Sequence, residues 1–386
     1  MNNKIKLAVA GAVLSAASVA NAGIIIPAGD WTIDINGNVN AFATWSNMDK
    51  PKGTSIATTA AGGLAGAEDI TGEGNTQSIN TGLLPAWLGF TGTTRQNDVD
   101  VSFTISFQPN VSDNFSHGDA KTPLNRQAFV TFGDKSWGSV KLGKDLGIFA
   151  GQAILNDMTL LGVGGGAANS GAATTLGGIG TGYIYPAWKG QIAYTTPNMN
   201  GFSATIGITN PNQNFGEAQS AATSDSTLYQ DRFGIEGQVM YEFTGDVSGK
   251  VWASGASYDV TGHPDNGTAN YAAGAEDSYT ASVYDIGVNV NTGNLGVTAY
   301  YYNGDGVGTT LMGSYGAQAD TTNNKFKKRD SDGGYLQATY VIPTGTKLGF
   351  AYGVSNLDKA SGETDAELTS GQSNFLVDKN ERWTVG

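Results

Sequence analysis

The sequence predicts an all-β fold, a transmembrane antiparallel up-and-down β-barrel. Three observations point to it. Apolar and polar residues alternate with a period of two along many short segments, so each segment has one apolar and one polar face. Short turns and long polar links join these segments by turns. Aromatic rings recur at segment ends (Trp31, Trp45, Phe107, Tyr241, Tyr301), as they do at the two headgroup levels of a bilayer. A soluble β-sandwich or β-helix also alternates, but its apolar face points to a core and needs no rings at both ends of a strand.

The first 22 residues read as a secretory signal peptide. Lys4 and Lys6 form a basic start, Leu7 to Ala20 is an apolar run of small residues, and Ala20-Asn21-Ala22 is a small-x-small cleavage site ahead of Gly23. The run is too short for a helix that crosses a ~30 Å core, which takes about 20 residues. Residues 23–386 are then a single barrel domain. They contain no apolar run long enough for a membrane helix, a test that barrel strands escape.

The strands follow in order. Trp31, Ile33, Ile35, Gly37, Val39, Ala41, Ala43 and Trp45 alternate with Thr32, Asp34, Asn36, Asn38, Asn40, Phe42 and Thr44. Val99, Val101, Phe103, Ile105 and Phe107 alternate with Asp100, Ser102, Thr104 and Ser106. Ala128, Val130 and Phe132 repeat the pattern more weakly. Phe233 to Tyr241, Tyr284 to Val290, Leu295 to Tyr301 and Leu348 to Val354 repeat it clearly, while the phase around Trp252 is ambiguous. Short turns fall near Arg95–Asp98, Asp134–Trp137, Pro197–Gly201, Thr244–Ser248, Asn291–Asn294 and Pro343–Thr346. Long links fall near Ser46–Gly82, Pro109–Pro123, Asp145–Gly182, Thr209–Gln230, Thr261–Glu276, Asn303–Ser331 and Asn356–Glu381. The count is about fourteen strands, the last from Arg382 to Gly386. That strand is shorter than the ~9–11 residues a span needs, so the C-terminus reads as truncated.

Composition excludes several functions. There is no cysteine, which removes disulfide scaffolds and Cys-based metal sites. The net charge of −13 argues against nucleic-acid binding, which needs a basic face. The two histidines, His117 and His263, lie in long links away from any Ser or Asp constellation, and no G-x-S-x-G, H-E-x-x-H or P-loop is present. The reading is therefore not an enzyme, with no cofactor and no metal. Gly162-Val163-Gly164-Gly165-Gly166-Ala167 satisfies G-x-G-x-x-A but lacks the strand-to-helix context that gives the motif meaning. Asp330-Ser331-Asp332-Gly333 suggests an oxygen-rich turn but lacks the remaining ligands of a calcium loop. The acids that crowd the long links, Asp225, Asp305 and Glu363 among them, read as loop solubility, or as groups that gather cations and bridge lipopolysaccharide through divalent ions.

Five stretches resemble the general diffusion porins of Gram-negative outer membranes. Ala86-Trp87-Leu88-Gly89-Phe90-Thr91-Gly92 is similar to a second-strand A-x-L-G-F-x-G, and Arg126-Gln127-Ala128-Phe129 to a fourth-strand R-x-A-F. Gly138 to Lys144 resembles G-S-x-x-x-G-R with lysine for arginine. Tyr194 to Phe202 resembles the turn Y-x-S/T-P-x-F-x-G-F, and Lys347 to Gly353 resembles K-L-G-x-x-Y-G. The resemblance runs from about Trp31 to the end and rests on the order of the motifs. It implies about sixteen strands, of which about fourteen are present, and assembly as a homotrimer. It also implies a water-filled channel for passive diffusion of ions and small hydrophilic solutes, among outer-membrane lipid and lipopolysaccharide.

The resemblance also implies that the third long loop, about 145–182, folds into the bore and narrows it. Its candidate pore-lining and constriction residues are Arg126, Lys141, Lys144 and Asp157, with Asn38 and Trp87 where relatives carry a lysine and an arginine. The motif turns Arg126 inward and would send Phe129 to lipid. Because Asn38 and Trp87 replace cations and no glutamate follows Asp157-Met158, the waist is expected to be charge-poor and partly aromatic. Two alternatives are a substrate-selective outer-membrane channel, which needs an ordered file of lumen aromatics, and a β-rich surface adhesin without a channel.

Overall fold

The computed structural model describes residues 23–47, 75–109, 111, 124–165, 174–210, 228–229, 232–262, 278–313, 315–320, 325–363 and 376–386. The signal peptide, both histidines, the centre of the third long loop and much of the other long links lie outside the described residues.

The wall begins with β1 (Ile24–Ala28) and β2 (Trp31–Asn38). A hairpin, β3 (Phe42–Asn47) and β4 (Asn75–Asn80), forms a separate two-stranded sheet. The wall resumes with β5 (Trp87–Gln96), β6 (Val99–Gln108), β7 (Leu124–Asp134) and β8 (Gly138–Leu146), followed by a short helix, α1 (Gly151–Leu155). Then come β9 (Trp188–Thr195), β10 (Phe202–Thr209), β11 (Leu228–Tyr229), β12 (Gly234–Phe243), β13 (Val247–Gly262), β14 (Ser278–Thr292) and β15 (Leu295–Asp305). A second small hairpin, β16 (Ala317–Asp320) and β17 (Lys325–Lys328), precedes β18 (Asp330–Val341), β19 (Lys347–Leu357) and β20 (Lys379–Val385). The wall strands pair antiparallel in chain order from β1 to β20, and β11 pairs with β13. That is the up-and-down meander the alternation predicts, and each of the fourteen strands read from the sequence has its counterpart.

The alternation also fixes which side faces out. Ile206, Val239, Ile286 and Leu336 are all more than half exposed on the outer face. Their neighbours Glu236, Asp285 and Gln337 are buried inside. Outward rings meet near the short-turn end: Trp31 with Phe103 at 5.7 Å, Phe132 with Trp137 at 6.4 Å, and Phe202 with Tyr241 at 4.4 Å. Between β5 and β6 the turn is Asn97-Asp98 with φ of 49° and 63°, the left-handed pair that matches strand twist in a two-residue hairpin.

The strands depart from the sequence reading at four places. The alternation of Trp31 to Trp45 runs on, but the wall strand stops at Asn38. The Asn40 amide donates to Asn38 Oδ1 (2.9 Å) and the Leu84 carbonyl (3.1 Å), and its Oδ1 accepts from Gly82 N (2.9 Å). These side-chain bonds compete with the ladder and turn the chain into β3, so Trp45 leaves the wall. β1 was missed because Ile-Ile-Ile-Pro-Ala does not alternate. β20 starts at Lys379, earlier than the expected Arg382. Asp330 and Asp332 stand within β18, not in a turn.

Candidate functional site

The segment after β8 turns into the barrel and packs against the inner wall, forming one hydrophobic cluster. Phe149, Ala153, Ile154 and Ile184 of the loop meet Trp252, Tyr258, Val260 and Tyr300 of the wall. An inserted loop exposes backbone groups that need partners away from water, and the wall supplies them as side chains. Glu236 of β12 accepts from the backbone N–H of Ile148 (2.7 Å) and Phe149 (3.0 Å) on one carboxylate oxygen. Its other oxygen holds the Lys189 ammonium and accepts from the Tyr258 hydroxyl (2.5 Å). Asp285 of β14 accepts from Ala150 N (3.2 Å), from Ser254 N and Oγ (2.8 and 2.7 Å), and from the Tyr300 hydroxyl (3.1 Å). Ala150 itself has φ 58°, a left-handed turn that aims three successive N–H groups at these two carboxylates.

Further along, the Tyr335 hydroxyl donates to the Ala153 carbonyl (2.8 Å). Gln337 brackets the next turn, accepting from Met158 N (2.9 Å) and donating to the Asn156 carbonyl (2.6 Å). Ser355 Oγ of β19 accepts from Gly182 N (3.0 Å). Lys250 of β13 donates to Gln152 Oε1 (2.7 Å). The loop also reaches the link between β4 and β5, where Leu83 N and Leu84 N donate to the Gly162 and Leu160 carbonyls (3.0 and 2.8 Å). Five wall strands, β12, β13, β14, β18 and β19, thus hold one loop inside the bore.

A second loop joins it. Between β15 and β18, Val307, Thr309 and Met312 are buried, and the Tyr185 N–H donates to the Thr310 carbonyl (2.9 Å). Phe326 of β17 packs on the inward ring of Tyr279 at 6.0 Å. Arg329 secures this segment: Nη1 donates to the Tyr315 carbonyl (2.8 Å), and Nε and Nη2 donate to Glu363 at 2.8 and 2.5 Å.

Of the residues singled out from the sequence, Asn38 and Trp87 are register partners, with Asn38 sharing the face of Asn36 and Trp87 that of Thr91. Lys141 faces inward and is ion-paired with Asp145, its ammonium 4.9 Å from the Phe129 ring centroid. Phe129 is therefore on the lumen side, not toward lipid. The cause is a β-bulge: Ser106 pairs with Gln127 but Phe107 with Asn125, so Arg126 is the extra residue. Parity along β7 therefore does not carry across Arg126. Its guanidinium carbon lies 6.0 Å from the Trp188 ring. Lys144 shares the outward face of Val140 and Leu142 and is exposed, its Nζ donating to the Asn125 carbonyl (2.9 Å). That is away from the lumen position expected of it.

Asp157 is buried within the loop, not displayed to the bore. Its oxygens accept from Thr159 N and Oγ1 (both 2.8 Å), Gly178 N (2.8 Å) and the Tyr183 hydroxyl (2.7 Å). Burial, and after it the Asp157 charge, push the Tyr183 hydroxyl well above its ordinary range, so it remains a donor. Sequence reasoning missed Glu236, Asp285 and Gln337. The signal available was a carboxylate or amide at an inward strand position, but many lumen residues share that trait.

The chain matches the Gram-negative porin family over residues 7–375 and belongs to it. Its fold is similar to the outer membrane channel DcaP of Acinetobacter baumannii (14% identity, TM-score 0.58, 86% of this chain and 80% of that one). It is also similar to OmpF of Salmonella typhi in complex with daunomycin (15% identity, TM-score 0.52, 91% of this chain and 84% of that one). No curated protein sequence matches. The protein is an outer-membrane β-barrel porin, a channel for passive diffusion of small solutes.

Proposed function

We propose that the docked loop is the waist of the channel and that ions and small hydrophilic solutes pass between it and the inward faces of β2 and β5 to β8. The observation that carries this reading is the set of wall side chains, led by Glu236 and Asp285, that bind the loop's backbone inside the barrel. On the facing wall the charges are largely paired. Arg95 meets Asp100 at 2.8 Å and Asp134 at 3.0 Å, and Lys141 meets Asp145. Asn38, Trp87 and Lys141 line the bore, Arg126 stands at its rim, Asp157 shapes the loop, and Lys144 lies outside the bore. Paired charges create little net field along the path, so the channel discriminates weakly between cations and anions. Single-channel reversal potentials in a salt gradient test this, and strong anion selectivity contradicts it.

The exported chain starts at Gly23, and residues 23–386 belong to the barrel, with the constriction loop at about 145–182. Membership of the family supports assembly as a homotrimer within lipid and lipopolysaccharide, and the absence of a catalytic constellation in the sequence supports transport without chemistry. The substrate-selective alternative needs an open aromatic file. Rings of Trp252, Tyr300, Tyr335 and Tyr183 do form a series, with successive centroids 6.5, 5.6 and 5.8 Å apart. All four are buried beneath the loop, so they support a role in seating it. Block of conductance by added sugars discriminates between the two readings.

A further inference from the structure

Asp34 is an acid on the inner wall whose neighbours leave one oxygen unanswered. On β2, Thr32, Asp34 and Asn36 share the face opposite Trp31, which packs outward on Phe103. Asp34 stands in register with Ile25 of β1 and Thr91 of β5. Ile25 offers no side-chain donor, and the Thr91 hydroxyl is engaged with that of Thr104 (3.2 Å). Asp34 Oδ1 is shielded from solvent and has no hydrogen-bond partner among the described residues. A carboxylate oxygen in that state has lost water and gained nothing in its place.

Gly23 approaches this oxygen. A Cβ on Gly23 would stand 2.1 Å from Asp34 Oδ1, so any side chain there would displace the carboxylate. The Gly23 Cα therefore lies within about 3.6 Å of Oδ1. β1 begins at Ile24, which leaves Gly23 outside the ladder with β2. In the uncleaved chain Gly23 N is an amide held by its bond to Ala22. Once that bond is cut, the nitrogen can turn about the Cα–C bond of Gly23 without disturbing the ladder. Turning it toward the direction a Cβ would have taken brings it within hydrogen-bond reach of Oδ1.

We propose that Asp34 is the receptor for the α-ammonium that signal-peptide cleavage creates, so that processing supplies the buried carboxylate with its cation. The inference rests on the reading that the exported chain starts at Gly23. Cleavage is a hydrolysis: water adds across the Ala22–Gly23 peptide bond, the new carboxylate leaves with the signal peptide, and the amine stays on Gly23 and takes up a proton at neutral pH. An ammonium offers three donors, and a charge-assisted bond strengthens where water screens it little. Before cleavage the same carboxylate has only a neutral amide beside it. The folded wall therefore favours the processed chain over its precursor.

The test compares the exported barrel with the same chain acetylated at its α-amine. An α-amine titrates at about 8 and a lysine at about 10.4, so acetic anhydride at about pH 6.5 modifies the terminus first in the unfolded chain, which is then refolded. Acetylation should speed unfolding in dodecyl sulfate at fixed temperature about tenfold, the size of one charge-assisted hydrogen bond. In Asp34→Asn it should have little effect, because the charge that needed the ammonium is gone. A chain with one extra serine ahead of Gly23 keeps an α-ammonium but moves it one residue away. It should unfold faster than wild type, and it serves if the asparagine variant does not fold. Equal rates for free and acetylated wild type, equal rates for wild type and the extended chain, or an equal acetylation effect in Asp34→Asn overturns the assignment. An intact mass showing that export leaves a first residue other than Gly23 strikes instead at the processing reading, so the two failures are distinguishable.

Discussion

The Lys189 ammonium and the Glu236 carboxylate form an ion pair sealed from solvent inside the barrel, and the same carboxylate anchors the root of the constriction loop. The pair thus couples wall to loop. Glu236→Gln keeps the shape but leaves Lys189 as an uncompensated buried charge. Breaking such a pair by removing one partner costs about 3–5 kcal/mol. Thermal unfolding of the detergent-solubilised barrel should show a lower midpoint for this variant, and open-channel current should become noisier, because the single amide oxygen cannot serve both Lys189 and the Ile148 and Phe149 N–H groups. An unchanged midpoint and quiet current would contradict the coupling.

Adjacent residues of β12 test which face meets lipid. Val239 is 57% exposed on the outer face, and Gln238 sits on the inner one. Val239→Arg places a charge in hydrocarbon near mid-strand, at a cost of about 2–4 kcal/mol. Gln238→Arg places it toward water and should cost much less. Refolding yields into vesicles, compared at equal denaturant, should separate the two. Similar yields would refute the inside–outside assignment.

How far the sequence revealed this molecule depends on whether a residue's role is periodic or pairwise. Val239 and Glu236 could be put on opposite faces from alternation alone, because lipid and water impose a period of two on every strand. Turns at Asn97-Asp98 and at Gly293 were also legible, since a left-handed backbone restricts residue type. The wall strand's end at Asn38 was not: apolar alternation continues to Trp45, and only the bonds of Asn40 to Leu84 and Gly82, more than forty residues away, divert the chain. The site was harder still. Asp157 was singled out for a lumen charge, yet it is spent on four hydrogen bonds within its own loop. Parity along β7 does not carry across Arg126, because a bulge is invisible to it. The partners of Glu236 and Gln337 are backbone N–H and C=O groups of a distant loop, and these carry no sequence signature.

Asp157 organises the loop through hydrogen bonds, so Asp157→Ala should leave Gly178 N and the Tyr183 hydroxyl without their acceptor. Each orphaned buried donor costs about 1–3 kcal/mol. The loop should loosen while the wall, held by its own ladder, persists. Heat-modifiable gel mobility should stay barrel-like, whereas proteolysis of the native channel between Asp157 and Tyr183 should quicken at least several-fold. Asp157→Asn retains two acceptor lone pairs and should lie between. If the alanine variant resists protease as well as wild type, the carboxylate does not hold the loop.

The latch between Arg329 and Glu363 predicts a pH dependence with a definite sign. Burial alone would raise the Glu363 carboxyl, but the Arg329 hydrogen bonds and charge and the Ala360 N–H outweigh it, and the net shift is downward from the ordinary 4.5. Lys359 adds in the same direction. A carboxylate depressed in the folded state stabilises that state fully above its unfolded value, and the contribution disappears as pH falls through the folded value. The mouth segment between β15 and β18 should therefore be secure at neutral pH and release only below about 4.5, where the carboxyl takes up its proton. Hydrogen exchange at Arg329 N, which donates to the Gly316 carbonyl at 2.8 Å, should lose protection on acidification beyond the intrinsic change in exchange rate. Glu363→Gln should lack protection already at neutral pH and show no such step. A wild-type step placed above pH 6, or one that persists in the glutamine variant, would assign the release to a different group.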